Sequence, residues 1–368
     1  MVKTIEEEVK KIQIDRIGDS CFYDAASCIL EYTDRLYWAL DYVEYKFLYN
    51  FDSFIKFNKK ESFVLSPTDN YYFLSGTGSR IYKANSKYTY SNYKDSLENA
   101  MKYREKNSKN FYDILNFFSK KDVPFMLKVN NMEYKQFYKE NRFTVPRSDC
   151  RHLIDVLKVS EDGRSCFIFD RGFDCFGKWI DAELLYKGAT SSFLNNFGKI
   201  SYMFFSEDLP PILNTNEIRQ KFIDNVKRTL KSDIIIDKNI YFNNSKALYA
   251  FRNDFKQIVE VMEHRYGQLT AAMIGEAILL QVDGSMGVVG LYRYINTFID
   301  SIALKNILPE VRNYWEIWHK FETRLKYVTY KNEPLHNYTE LFITYIDELI
   351  ESDDKIIKGI KMTLAEIS

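Results

Sequence analysis

Apolar positions recur along this chain with two different periods, and the change falls near Pro210-Pro211. Over 19–32 the small and apolar residues Ala25, Ala26, Cys28 and Ile29 share one side of a helical wheel, and 93–105 and 111–119 also read as helical. Residues 62–72 read as short strands about the turn Ser66-Pro67-Thr68-Asp69, and 125–129, 153–159, 166–170 and 200–205 as further strands. After the double proline, 216–230, 244–264, 269–282, 288–304, 310–326 and 338–350 carry helical spacing with few strand signals. The pattern predicts an α+β domain over 1–209 and an all-helical domain over 212–368.

Composition narrows the function class. A chain of 368 residues is long enough for two domains, each with its own core. Hydrophobic residues are 46% and charged residues 28%, the balance of a soluble globular protein. Lys+Arg and Asp+Glu are 51 each, so the formal charge is zero and a general polyanion-binding surface is not indicated; nucleic acid is not an expected partner. No apolar run reaches the length of a membrane-spanning helix, and the first residues (Glu6, Glu7, Glu8, Lys10, Lys11) hold no signal-peptide core. Five cysteines, an odd number without framework spacing, point to a reducing compartment, and the expected location is the cytoplasm. Neither a CxxC pair nor an HxxxH is present, so no metal site is expected.

The stretch Gly18-Asp19-Ser20-Cys21-Phe22-Tyr23 carries the first chemical signal. Asp19 or Ser20 is a good helix N-cap, and Gly18 frees the entering backbone. Cys21 then falls in the first turn, where unpaired N–H groups and the helix dipole favour a thiolate and an adjoining oxyanion. Cys28, two turns deeper, reads as core. A single cysteine is more often a small buried hydrophobe, so Cys21 needs a partner.

That partner is a hairpin. Residues 151–159 form a strand with His152 at its start, Ser160-Glu161-Asp162-Gly163 a turn, and 166–170 a return strand ending on Asp170. With a three-residue loop, Val159 opposes Gly163 and His152 lies opposite Asp170; a two-residue Asp162-Gly163 turn puts Asp155 there instead. Only four histidines occur in the chain, which gives this placement weight. Cysteine at a helix start, histidine leading a hairpin and an acid ending the next strand is the order of the papain-like fold, a helix packed on antiparallel sheet. The roles then fall to Cys21 as nucleophile, His152 as proton carrier and Asp170 as the acid that orients the ring.

The Gly-Asp-Ser-Cys21 helix, the His152 hairpin and Trp179-Ile-Asp-Ala-Glu-Leu resemble the N-terminal domain of the butirosin biosynthesis protein H family, itself related to bacteriocin leader peptidases. Gly290-Leu-Tyr-Arg-Tyr-Ile-Asn-Thr-Phe-Ile-Asp resembles the helical domain that follows in that family, so the likeness touches both halves through short, degenerate motifs. The resemblance implies an acyltransferase that builds an amide in peptide-antibiotic biosynthesis, as do similar proteins of nonribosomal pathways such as that of the polythioamide closthioamide. An acyl or peptidyl group passes from a carrier-protein thioester through a Cys21 acyl-enzyme to an amine acceptor. The phosphopantetheine arrives with the carrier, and no intrinsic cofactor is implied. One departure concerns the oxyanion. Papain-like hydrolases place a glutamine five or six residues before the nucleophile, whereas Gln13 lies eight before Cys21, with Asp15 and Asp19 closer. Gln13 is a candidate; without it, backbone N–H at Cys21 carries the charge.

Two other functions share these residues. A cysteine peptidase uses the same triad with water as acceptor, and a non-catalytic binding protein keeps the fold with Cys21 merely structural. Gly76-Thr77-Gly78-Ser79 and the glycines of 284–290 lack the strand–helix context and lysine of a phosphate loop. Cys150 and His152 lack further metal ligands, and His319 among Trp315, Trp318 and Phe321 reads as packing. The basic, tyrosine-rich stretch 80–109, broken by Asp95, Glu98 and Glu105, reads as a solvated helix face or a surface that receives an acidic carrier.

Overall fold

A computed structural model describes residues 12, 21–41, 45, 47–55, 101–147, 149, 151–194, 198–205, 211–231, 233–236 and 239–368. In chain order the elements are α1 (Cys21–Tyr32), β1 (Leu48–Tyr49), α2 (Phe51–Ile55), β2 (Met101–Asn107), α3 (Phe111–Lys121), β3 (Phe125–Asn130), α4 (Lys135–Glu140), β4 (Arg151–Val159), β5 (Ser165–Asp170), β6 (Cys175–Asp181), α5 (Ala182–Thr190) and β7 (Lys199–Phe205). They continue with α6 (Thr215–Thr229), β8 (Asp233–Ile236), β9 (Asn239–Asn243), α7 (Asn244–Tyr266), α8 (Thr270–Ile299), α9 (Ile302–Lys331) and α10 (Thr339–Ile367). The fold is α+β, with antiparallel sheets and a helical C-terminal region. Among the described residues no helix is long and apolar enough to cross a membrane.

Two compact units divide the chain: Met1–Ala39 with Tyr93–Ile212, and Leu40–Asn92 with Leu213–Ser368. The first is built on a six-stranded antiparallel sheet of order β2-β7-β3-β4-β5-β6. One face of it presents Leu127, Val129, Ile154, Val156, Ile168, Ile200, Tyr202 and Phe204 to a common core. Phe111, Ile114, Leu115 and Phe118 of α3, at helical spacing, enter that core, and Phe118 stacks on Phe125 at 4.1 Å. Truncating a ring so enclosed costs about 3–5 kcal/mol. α3 stops at Asp122, which takes the left-handed conformation and returns its N–H to Ser119. α5 starts where the Asp181 carboxylate accepts the Glu183 N–H. α1 packs along β4, with Cys28 against Asp155, a residue that alternates with the core-facing Ile154 and Val156. The helix therefore covers the other side of β4.

The second unit holds a three-stranded antiparallel sheet, β1-β9-β8, with α6 and the long helices α7 to α10. Phe47, Phe54, Phe251, Phe255, Trp318, Phe321 and Phe342 form a continuous aromatic core. α6 carries a full capping box between Asn214 and Glu217.

Several expectations change. The helix expected over 93–105 is, in its described part, strand β2, paired residue for residue with β7 from Met101↔Phe205 to Asn107↔Lys199. The C-terminal domain is not all-helical, because β8 and β9 form a hairpin joined by β1. Phe47 and Phe54 belong to that unit's core, so the segment from Leu40 groups with the C-terminal unit rather than with a continuous 1–209 domain. The helices expected over 269–282 and 288–304 are largely one, α8, which ends where Asp300 adopts the left-handed conformation, and α9 begins at Ile302. Strand β6 and helix α5 were not expected. The strands expected over 62–72 lie outside the described residues.

Candidate active site

The geometry of the β4–β5 hairpin decides whether His152 and Asp170 meet. Val159 pairs with Cys166 and Lys158 with Phe167, so residues 160–165 form the tip. Gly163, with φ of 68°, sits in that tip, and its N–H reaches the Ser160 carbonyl at 2.9 Å. This corrects the expected three-residue loop: Val159 faces Cys166 rather than Gly163. Continued without interruption, that register would place Asp155 opposite Asp170 and turn His152 to the other face. The pairing instead resumes as Val156↔Ile168 and Asp155↔Phe169, leaving Leu157 as an extra residue. This β-bulge brings Ile154 opposite Asp170, and His152 becomes its diagonal neighbour on the same face. A second bulge, at Gly177 with φ of 91°, bends β6 beside Asp170.

The result is a close pair. His152 Nε2 lies 2.8 Å from Asp170 Oδ1, with the imidazole side chain 12% exposed and the carboxylate 1%. The second carboxylate oxygen, Oδ2, accepts the Tyr138 hydroxyl at 2.6 Å. Phe173 sets its ring edge against His152 at 5.2 Å and lies 5.3 Å from the Tyr138 ring. The turn carrying Phe173 is tied to the preceding loop, where the Thr144 N–H meets the Phe173 carbonyl at 3.1 Å and the Thr144 hydroxyl donates to Asp174. Gly172 approaches so closely that a Cβ there would stand 3.2 Å from His152 Cε1 and 3.4 Å from Asp170 Oδ1. A buried carboxylate held by a tyrosine on one oxygen and an imidazole on the other suits an acid that orients a base through its Nε2.

Immediately after Asp170, Arg171 turns the other way. Its Nη2 meets Glu31 Oε2 of α1 at 3.0 Å, and both side chains are 5% exposed. This buried ion pair ties the end of α1 to the turn that follows the acid. Cys28, enclosed in the same layer, is an inert thiol: burial first, then the Asp155 carboxylate, push it upward, while Arg171 pulls it down less strongly. Burial likewise pushes Cys166 up to about 12 and raises Cys175 beside Asp170.

Of the expected site residues, His152 and Asp170 are brought together. Cys21 is the first described residue of α1, and it is the Glu31 end of that helix, ten residues on, that meets the turn after Asp170; the Cys21 side chain lies outside the described residues, as do Gln13, Asp15, Gly18, Asp19 and Ser20. The 284–290 stretch is the interior of α8, so its N–H groups follow the helix hydrogen-bond pattern and do not cradle a phosphate. Gly76, Gly78 and Cys150 lie outside the described residues. His319 is more than half exposed, stacked on Trp315 at 5.4 Å and 4.0 Å from Glu322, on the surface of α9. Of the stretch 80–109, the described part shows Arg104 and Lys106 exposed on β2 and Glu105 linked to Lys199 at 3.5 Å. Among the described residues no group of three or more His, Cys, Asp or Glu side chains could hold a metal ion. Tyr138, Gly172, Phe173, Arg171 and Glu31 were not foreseen; one tyrosine among 28 carries no signal until the sheet and α4 bring it to Asp170. In comparison with known proteins, no family model matches the chain and no curated protein matches it.

Proposed function

We propose that this protein is a cysteine-dependent acyltransferase of papain-like fold that makes amides, working in the cytoplasm on a carrier-protein thioester during peptide-antibiotic assembly. The observation that carries the reading is the His152–Asp170 contact of 2.8 Å, with its carboxylate buried and its imidazole reaching solvent. The likeness of the motifs around Cys21, His152 and Trp179 to the butirosin biosynthesis protein H family supports the choice of acceptor.

In this reading the Cys21 thiolate attacks the thioester carbonyl. A bond forms from carbon to Sγ, the bond to the pantetheine sulfur breaks, and that sulfur leaves as a thiolate without needing a proton. The amine then attacks the acyl-enzyme, His152 Nδ1 takes the proton that the amine loses, and Cys21 departs as thiolate. Asp170 keeps the ring in the tautomer and orientation this requires. The thioester supplies the driving force, so the chain's own groups need only position, accept a proton and hold the oxyanion.

Incubation with an acyl-carrier thioester, with and without a small amine, tests the proposal by intact mass. The expected result is an acyl adduct on Cys21 that discharges to amide when amine is present. Release of free acid at the same rate with or without amine would instead identify a peptidase-like hydrolase. Turnover unchanged by Cys21→Ala would overturn both, and no adduct on Cys21 with no turnover in either arm would leave a binding protein.

A further inference from the structure

We propose that Tyr138 is the positioning residue of the His152–Asp170 pair, its hydroxyl holding one carboxylate oxygen so that the other is presented to the imidazole. The kinetic part of this inference rests on the catalytic reading above; the structural part does not. An aspartate's terminal torsion is soft, so nothing intrinsic to Asp170 fixes the plane in which its carboxylate meets His152. Tyr138 removes that freedom. It is fully buried, stacked on Tyr134 at 5.4 Å, and flanked by Phe137 and Phe143 at 5.9 and 6.2 Å, so its ring has no alternative place. Its hydroxyl meets Asp170 Oδ2 at 2.6 Å while Oδ1 meets His152 at 2.8 Å. The same ring lies against Phe173, which edges His152, so one side chain restrains both partners.

The hydroxyl also has an electrostatic task. When His152 is neutral, the carboxylate charge has no cation beside it in the pair, and the Tyr138 O–H, with the imidazole Nε2–H, compensates it. When His152 is protonated, the imidazolium shares that work. Loss of the hydroxyl therefore penalises the neutral-imidazole state more and makes His152 retain its proton to higher pH. Among the described residues, the titratable groups facing this point include Tyr134 and Tyr138 from the segment before the hairpin, Cys175 from β6, and the pair itself; Arg171 is turned to Glu31 on α1. Burial first, and then neighbouring Tyr134 and Asp170, hold the Tyr138 phenol protonated, and burial does the same for Cys175.

The experiment uses the full chain with Tyr138→Phe, and Tyr112→Phe as a remote control whose hydroxyl bonds Glu183 on the surface. NMR titration of His152, assigned with His152→Asn, is the first readout, with near-ultraviolet circular dichroism to confirm the fold. The midpoint is expected to rise by about half a unit or more in Tyr138→Phe and to stay put in Tyr112→Phe. Acyl transfer from a carrier thioester is the second readout, expected to lose about tenfold or more in kcat with KM unchanged. If Tyr138→Phe does not fold, replacing Tyr138 with 3-fluorotyrosine keeps the shape and strengthens the donor, and the midpoint is then expected to fall. A His152 midpoint unmoved by whichever variant folds would overturn the role of Tyr138, even with transfer intact in the parent. A midpoint that moves as expected in a protein that transfers no acyl group would uphold Tyr138 and reject the catalytic reading.

Discussion

Replacing Asp353 with asparagine tests the electrostatics of the second unit's core. The carboxylate is fully buried in α10, where it accepts the Tyr45 hydroxyl at 2.8 Å and the Ser245 hydroxyl. Burial pushes its pKa from 3.8 up to about 6; the two hydroxyl donors oppose the rise, and neighbouring Asp354 adds to it. Burial wins because two neutral donors replace less of the lost hydration than a charged partner would. The sign follows from linkage. The folded state holds this proton more tightly than the unfolded state, so the stability it contributes is fully present below pH 4 and is lost as pH rises through about 6. A rise of about two units, at about 1.4 kcal/mol each, makes the loss ~3 kcal/mol. Asp353→Asn keeps the shape and removes the titration. Urea unfolding at half-unit steps from pH 4 to 7.5 measures it, followed by the fluorescence of Trp318. That ring is fully buried and lies 6.2 Å from Tyr314, which in turn meets Tyr45 at 5.2 Å. The stability of the variant relative to the parent is expected to grow by ~3 kcal/mol across that range and then level off. A difference that stays flat with pH, or shrinks, would show that the carboxylate is not held protonated by burial.

Three further outcomes concern the candidate site. Asp170→Asn leaves His152 beside an amide that cannot stabilise an imidazolium, and the rate of amide formation from the acyl-enzyme is expected to fall by about 10²–10⁴ with the circular dichroism unchanged; a loss of less than threefold would remove Asp170 from the mechanism. Gly172→Ala puts a methyl group 3.2 Å from His152 Cε1, and the neighbouring side chains must yield by a few tenths of an ångström. Stability is expected to drop by about 1 kcal/mol in urea unfolding, with about tenfold lost in transfer, and parent-like kinetics would refute the crowding. Glu31→Gln leaves Arg171 buried beside a neutral partner, at an expected cost of about 3–5 kcal/mol. Lys305→Gln, in a pair 54% and 83% exposed, is expected to leave stability almost unchanged, and equal losses from the two would refute the difference in burial.

Much of the architecture was legible from local pattern alone. The helices expected over 111–119, 216–230 and 244–264 correspond to α3, α6 and α7, and the strands at 125–129, 153–159, 166–170 and 200–205 to β3, β4, β5 and β7. The three helices bury one face each and show the helical period, while β3, β4 and β5 are buried on both faces and read as short, near-continuous apolar runs. Where the apolar signal was weak the reading failed. β2 is an edge strand whose Arg104, Glu105 and Lys106 are exposed, and these helix-forming residues become extended only because β7 pairs with them from far along the chain. In the same way, β8 and β9 gain their third strand from Leu48–Tyr49, a contact no local window contains.

The candidate site divides along the same line. The order of Cys21, His152 and Asp170 was visible as residue types placed at element ends, and two of the three side chains do meet. What brought those two to one face was the folded sheet. A single unpaired residue, Leu157, shifts the β4–β5 register by one, and side chains alternate with a period of two. Such a shift leaves no mark in composition or hydropathy, since Leu157 reads as one more apolar strand residue. Tyr138, Phe173 and the buried Glu31–Arg171 link depend equally on distant segments meeting, and so belong to the tertiary structure.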